Sequence, residues 1–262
     1  MRVSCLGPVG SFSERAAQVM CPDAERVLAA SFARAAELLA AGEVDCAVLP
    51  VENALNGGVR EVMDLLAEED IFGVEECALP VDHRLALLEG TRAEDVRFIY
   101  SHEQAIGQCS AFLRAQFPEA QFVFTASTAE SLTRLDAQSA GIVGAHVKRD
   151  GVRLSEANIA DNKGNFTRFM RFVRAEKLPS SSKSVFLSAV CPHRPGALLG
   201  LLEIFSRFSL NLTRIESRPV RGSFGEYRFF IEFAGDLADG RVQGALEEIE
   251  RYCRHFKLLA AF

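Results

Sequence analysis

A polar, serine-rich stretch, Glu176–Ser184 (Glu-Lys-Leu-Pro-Ser-Ser-Ser-Lys-Ser), separates two parts of the chain that have different hydrophobic rhythms, and it reads as a linker. Before it, short apolar runs alternate with helical stretches. Arg2–Leu6, Cys46–Pro50, Phe98–Ser101, Gln121–Thr125 and Ile142–Gly144 read as strands. Ser13–Met20, Val59–Ala67, Ala105–Gln116 and a stretch from Thr128 to Leu135 read as helices. This alternation predicts α/β layering on mostly parallel strands. In such sheets ligands sit at strand carboxyl ends, where helices begin. Ile71–Leu88 is long, extended and interrupted by Gly73 and Pro80, so it reads as a strand crossing between two lobes. The chain returns near Ile159–Arg174, which places a cleft between two subdomains. After the linker come a strand at Val185–Val190 and a helix with Ala197, Leu198, Leu201, Ile204, Phe205 and Phe208 on one face. Strands at Asn211–Pro219 and Tyr227–Ala234 flank a turn at residues 221–225. A helix at Val242–Tyr252 and a strand at Phe256–Ala261 complete a ferredoxin-like βαββαβ order.

The bulk properties exclude several classes. The chain has 262 residues, 48% hydrophobic and 24% charged, as in a globular protein. Its net charge is −6 and no basic stripe is visible, so nucleic acid is not an expected partner. An anionic ligand is expected to need a local cationic pocket. No apolar run reaches the roughly 18 residues of a membrane span, and the first residues lead straight into a glycine turn rather than a signal sequence. The seven cysteines form no Cys-x-x-Cys pair, which fits reduced thiols in the cytoplasm. The five histidines show no i, i+4 pair, so no metal is expected.

Four strand-to-helix junctions carry polar groups. Gly7-Pro8-Val9-Gly10-Ser11-Phe12-Ser13-Glu14 has capping-box spacing between Ser11 and Glu14. It reads either as a capped turn or as an anion site at a helix start. In Pro50-Val51-Glu52-Asn53-Ala54-Leu55-Asn56-Gly57-Gly58 the Asn53 amide both donates and accepts, and the glycines expose backbone N–H groups. Ser101-His102-Glu103-Gln104 begins a helix in which Gln104 and Gln108 share a face. Cys109 there reads as core rather than nucleophile. Ser127-Thr128-Ala129-Glu130, read alone, is a plain cap.

The run Asn165-Phe166-Thr167-Arg168-Phe169 sets a hydroxyl, a fixed cation and two aromatic rings in one strand. Thr167 and Phe169 should face one way and Arg168 the other. Arg168 therefore contacts substrate only if the segment twists or bulges. The alternative is that it pairs with a carboxylate such as Glu52 and holds the loops.

In this order and spacing, Gly7-Pro8-x-Gly10-x-Phe12-Ser13, Pro50-x-Glu52-Asn53, Ser101-His102-x-Gln104-Ala105 with Gln108-Cys109, and Asn165-x-Thr167-Arg168-Phe169 resemble the prephenate dehydratase family. Pro195-Gly196-Ala197-Leu198 and Asn211-Leu212-Thr213-x-Ile215-Glu216-Ser217-Arg218-Pro219 resemble its C-terminal ACT domain. The resemblance covers almost the whole chain. It implies a two-lobed catalytic domain, similar to type II periplasmic binding proteins, over residues 1–175. A linker at 176–183 and a regulatory ACT domain at 184–262 would follow. It implies conversion of prephenate to phenylpyruvate, water and carbon dioxide in phenylalanine synthesis, without a cofactor. Thr167 is the expected catalytic residue. Ser11, Phe12, Ser13, Asn53, Ser101, Gln104, Gln108, Arg168 and Phe169 are the expected substrate-binding set. Phenylalanine would inhibit by binding at ACT interfaces of a homodimer or homotetramer. The expected effector residues are Pro195, Gly196, Ala197, Leu198, Leu199, Asn211, Leu212, Glu216, Ser217 and Arg218. Three positions depart from the family pattern: Ser11 replaces a threonine, Ala54 replaces a serine, and Ala126 stands where some relatives carry a carboxylate. Ala54 leaves arogenate open as an alternative substrate, and a binding protein without turnover is the rival from another class. No long helix precedes the first strand, so a fused chorismate mutase is not expected.

Overall fold

The computed structural model describes residues 1–174, 179, 181–220, 222–223 and 225–262. In it the first part of the chain alternates as β1 (Arg2–Leu6), α1 (Phe12–Met20), β2 (Glu25–Ala29), α2 (Phe32–Ala40), β3 (Cys46–Asn53), β4 (Gly57–Gly58), α3 (Arg60–Glu68) and β5 (Ile71–Pro80). Then follow β6 (His83–Leu88), β7 (Phe98–Ser101), α4 (Glu103–Gln108), α5 (Ser110–Gln116), β8 (Gln121–Phe124), β9 (Ser139–Gly144), β10 (Val152–Leu154) and the returning β11 (Phe166–Arg174). The remainder is β12 (Ser184–Val190), α6 (Ala197–Arg207), β13 (Leu212–Pro219), β14 (Tyr227–Ala234), α7 (Gly240–Tyr252) and β15 (His255–Ala261), a βαββαβ unit. Linker residues 176–178 and 180, and turn residues 221 and 224, lie outside the described residues. No described helix is long and apolar enough to cross a membrane.

Two sheets organise these elements. The larger runs β13-β14-β12-β15-β5-β11-β3-β1-β2, with β4 paired to β3; the smaller runs β10-β6-β9-β7-β8. The chain leaves the large sheet at Pro80 and joins the small one at His83, and β11 brings it back. The expectation of mostly parallel strands is corrected. β1 pairs parallel to β2 and β3, and β7 to β8 and β9. However, β11 runs antiparallel to both β3 and β5, and β6 antiparallel to β9 and β10. The outgoing β5 keeps the direction of β3, and β11, returning from the second lobe between them, runs against both.

Local chemistry explains the elements that aim the site. β3 is buried on both faces over Cys46–Val51 because α1 packs on one face and α2 and α3 on the other. α1 starts where the Ser11 hydroxyl accepts the Glu14 N–H at 3.1 Å. Glu14 reaches back to the Gly10 N–H at 2.6 Å, one residue earlier than in a reciprocal capping box. The helix expected over 105–116 is two helices meeting at Cys109, and the stretch Ala129–Arg134 is a 3₁₀ turn.

One core joins the two patterns. Met170 and Phe172 of β11 lie in the same buried cluster as Phe186 of β12, Phe230 of β14 and Leu259 and Ala260 of β15. β15 meets β5 at Ala260 and Gly73, where any side chain on Gly73 would collide with Met170 and Ala260.

Candidate active site

The carboxyl end of β3 and the start of β11 lie side by side, with Asn53 opposite Thr167 and Glu52 opposite Arg168. Because strand side chains alternate, Asn53 and Thr167 share one face. That face lines a cavity of about 490 Å³ between the two lobes. Asn53 is held as a turn residue. Its Oδ1 accepts from the N–H groups of Leu55 and Asn56 at 3.1 and 3.2 Å, and from Asn56 Nδ2 at 3.1 Å. With the oxygen so occupied, Nδ2 faces β11, where its two protons meet Thr167 Oγ1 at 3.0 Å, Asn165 Oδ1 at 3.0 Å and the Phe166 carbonyl at 3.2 Å. Thr167 is thereby fixed as an acceptor from Asn53. Its own proton has no acceptor among the described residues and is free for a group in the cavity.

The second lobe supplies α4. Gln104 and Gln108 both line the cavity from one helix face. Gln108 Oε1 lies 2.9 Å from His83 Nε2, so the imidazole proton is assigned to Nε2 and the Gln108 amide donor is left for a ligand. His83 is buried at the start of β6, and Phe12 meets it edge-on at 6.0 Å. Burial lowers the His83 pKa against the opposing pull of Gln108 and Asp82, which keeps the ring neutral. Ser127 both caps the following turn, accepting the Glu130 N–H at 3.1 Å, and lines the cavity beside Ala126 and Thr128.

No lysine, arginine, aspartate or glutamate lines this cavity among the described residues. The expected cationic pocket is therefore corrected: an anion there meets neutral donors. The N–H groups of Phe12 and Ser13, at the start of the nine-residue α1, find no acceptor among the described residues. They lie where the helix dipole favours negative charge. Phe12 and Phe169 supply the apolar wall, the latter 1% exposed.

Of the expected substrate-binding set, Ser11, Phe12, Ser13, Asn53, Gln104, Gln108 and Phe169 line the cavity together with Thr167. Ser101 does not. It is fully buried at the end of β7, and its hydroxyl donates to the Ile142 carbonyl at 2.9 Å, within the sheet. Arg168 does not either. Alternation turns it away from Thr167, toward Glu52 at 3.5 Å, Glu76 at 2.9 Å and Glu232 at 2.5 Å. Phe166 is 44% exposed and outside the lining. Cys109 is buried, and burial together with nearby Asp161 pushes its thiol up to about 12, which removes it as a nucleophile. Sequence reasoning missed His83, because a lone histidine carries no signal until the fold brings it to Gln108. Among the described residues no group of His, Cys, Asp or Glu is arranged to hold a metal.

In the C-terminal unit a hollow of about 200 Å³ is lined by Pro192, His193, Arg194, Ala197 and Leu198 at the start of α6, with Glu226, Tyr227 and Phe229 opposite. Pro195, Gly196 and Leu199 are exposed beside it, and Gly196 holds the left-handed φ of 78° that starts the helix. Leu212 of β13 packs under the helices, while Asn211 just before the strand and Ser217 on it are exposed. Glu216 and Arg218, also expected as effector contacts, are half-buried on β13. They point toward the first part of the chain, Glu216 against Gly58 and Arg218 toward Asp64 at 3.8 Å.

Comparison with known proteins agrees with this architecture. The profile of the prephenate dehydratase family matches residues 3–177, and that of the ACT domain matches residues 185–251. The prephenate dehydratase of Amycolatopsis methanolica is 33% identical over all of this chain and 88% of its own length. Arogenate dehydratase/prephenate dehydratase 1 of Arabidopsis thaliana is 31% identical over all of this chain and 72% of its own. Among solved structures, the prephenate dehydratase of Arthrobacter aurescens in complex with L-Phe superposes with a TM-score of 0.91 at 30% identity, covering all of this chain and 90% of that one. With a family profile spanning most of its length and relatives that align over all of it, the chain belongs to the prephenate dehydratase family.

Proposed function

We propose that this protein is a prephenate dehydratase that removes water and carbon dioxide from prephenate to give phenylpyruvate, with Thr167 as its catalytic residue and phenylalanine as its inhibitor. The observation that carries the mechanism is the Asn53–Thr167 contact, which leaves one uncommitted proton facing the cavity. In the reaction the C–O bond to the ring hydroxyl breaks and the oxygen leaves with its electron pair. The C–C bond to the ring carboxylate supplies the pair that completes the aromatic ring, releasing carbon dioxide. The departing oxygen takes up a proton and becomes water. A threonine hydroxyl is too weak an acid to surrender its proton outright. It polarises or relays, strengthening its hydrogen bond as charge builds on the leaving oxygen. One such preorganised donor contributes ~3 kcal/mol, about a hundredfold in rate. The walls of Phe12 and Phe169 take water from the carboxylate that must be lost. The start of α1 and the amides of Gln104 and Gln108 hold the rest of the dianion.

The same lining supports prephenate over arogenate. Arogenate carries an ammonium group, and no carboxylate lines the cavity among the described residues to receive it. Residues 1–175 would form the catalytic domain, 176–183 the linker and 184–262 the regulatory domain. The unpaired cysteines suit work in the cytoplasm. Leu199, Ile215 and Tyr227, exposed around the free edge of β13, suit contact with a second copy, and phenylalanine would bind between two such units. The test is phenylpyruvate formation from prephenate and from arogenate side by side, with and without phenylalanine. Turnover of prephenate alone, suppressed by phenylalanine, is expected. Absence of phenylpyruvate would overturn the catalytic reading, and absence of both inhibition and calorimetric heat up to millimolar phenylalanine would overturn the effector reading.

A further inference from the structure

Behind the cavity wall, on the other face of β3 and β11, the cation that follows Thr167 is shared between the two parts of the chain. Arg168 lies 3.5 Å from Glu52 and 2.9 Å from Glu76, both in the first part, and 2.5 Å from Glu232 of β14. Glu232 is 5% exposed, and its other oxygen accepts the Ser184 hydroxyl at 3.0 Å. Its cross-strand neighbour Arg214 reaches back to Glu52 at 3.7 Å and donates to Glu216 at 2.8 Å. The β13–β14 pair thus grips both strands of the cavity wall at the residues next to the Asn53–Thr167 pair: Glu52 precedes Asn53, and Arg168 follows Thr167.

We propose that Glu232 is a positioning residue for Thr167, and that the Glu232–Arg168–Glu52–Arg214 knot is the element through which the C-terminal unit sets turnover in the cleft. Consecutive residues of a strand share a backbone and point to opposite faces, so displacing Arg168 and Glu52 displaces Thr167 and Asn53. A mostly buried ion cluster is a poor source of stability compared with apolar packing, but it fixes register tightly. The Arg168 Nε lies 2.9 Å from Glu76 without a well-aligned hydrogen bond, so Glu232 is the carboxylate to which the guanidinium is most firmly tied. The inference rests on Thr167 as the donor and deepens the regulatory reading by naming its route.

The test uses the full-length enzyme with Glu232→Gln, which keeps the shape and removes the charge. kcat on prephenate is expected to fall about tenfold, because small misplacements of a reacting group are costly. KM should stay within about twofold and the melting temperature should change little. The factor by which phenylalanine lowers kcat should fall toward one although phenylalanine still binds by calorimetry. Glu232→Asp, which keeps the charge on a shorter arm, should restore part of both. Should Glu232→Gln fail to fold, Ser184→Ala, which only releases the aim of that carboxylate, should show the same pattern more weakly. Unchanged kcat and inhibition in these variants, or losses that merely track the folded fraction, would overturn the proposal. If the native enzyme is not inhibited by phenylalanine, the effector reading alone fails, and the kcat comparison still decides whether Glu232 positions Thr167.

Discussion

Replacing Asn53 by aspartate keeps the size of the side chain, reverses the hydrogen bond to Thr167 and removes the donor that faces Asn165 Oδ1 and the Phe166 carbonyl. In the native site Asn53 Nδ2 donates to Thr167 Oγ1 at 3.0 Å, so the threonine proton points elsewhere. A carboxylate cannot donate. Thr167 would give its proton to Asp at position 53, and the leaving oxygen would lose its donor, at about 3 kcal/mol. The new charge, on the order of 5 Å from the departing hydroxide, adds ~3 kcal/mol of repulsion at an effective dielectric of about 20. Meanwhile the bonds from the Leu55 and Asn56 N–H groups survive, since a carboxylate accepts as an amide oxygen does. Asn53→Ala does the opposite: it loses those bonds, at about 1 kcal/mol each, but leaves the threonine proton free. The account therefore predicts an inversion. Asn53→Asp should melt closer to the native protein than Asn53→Ala and yet turn over more slowly, with kcat at least about a hundredfold below native. Stopped-time phenylpyruvate absorbance on both variants, with thermal melts alongside, measures it. If Asn53→Asp stays within about fivefold of native kcat, or outperforms Asn53→Ala, the assignment of donor and acceptor in this pair is wrong.

Other consequences follow from particular contacts. Ser101→Ala should leave KM for prephenate unchanged and cost about 1 kcal/mol in denaturant unfolding, since its hydroxyl serves the Ile142 carbonyl and not the cavity. Burial depresses the pKa of His83 and of His146, so folded rings hold protons less tightly than unfolded ones. Stability should be fully present above the ordinary histidine value of 6.5 and be lost as pH falls from there toward the lower folded values; His83→Gln should flatten that slope in melts between about pH 5 and 7.5. Gly58→Ala should weaken phenylalanine inhibition at little cost in stability, because a methyl group there pushes aside the flexible ends of Arg214 and Glu216 without meeting backbone.

What the sequence disclosed and what it hid divide along physical lines. The glycine-bearing turns at strand ends were legible because backbone freedom and capping spacing are written locally, as at Gly10, Ser11 and Glu14. The opposed faces of Thr167 and Arg168 were legible because strand alternation is a fixed geometric rule, and it holds despite the bulge after Arg168. Pro50 is expected to end its strand, yet β3 runs on to Asn53, because Pro50 sits opposite Phe169 at that same bulge. β2 and α2 were missed: β2 is a polar edge strand with Glu25 and Arg26 exposed, and α2 is a short alanine-rich helix. Ser101 misled because a serine at a strand end looks alike whether it faces a ligand or a neighbouring carbonyl. The Arg168–Glu232 contact joins residues 64 apart across two units, and no local spacing announces it.

The central claim is that the Thr167 hydroxyl, aimed by Asn53, eases the ring oxygen away. The direct measurement is single-turnover phenylpyruvate formation by Thr167→Val beside Thr167→Ser, each checked for fold by melting. Valine keeps the bulk and removes the proton, so its rate should fall about a hundredfold or more, while serine should stay within about tenfold of native. A valine variant that turns prephenate over near the native rate would contradict the account.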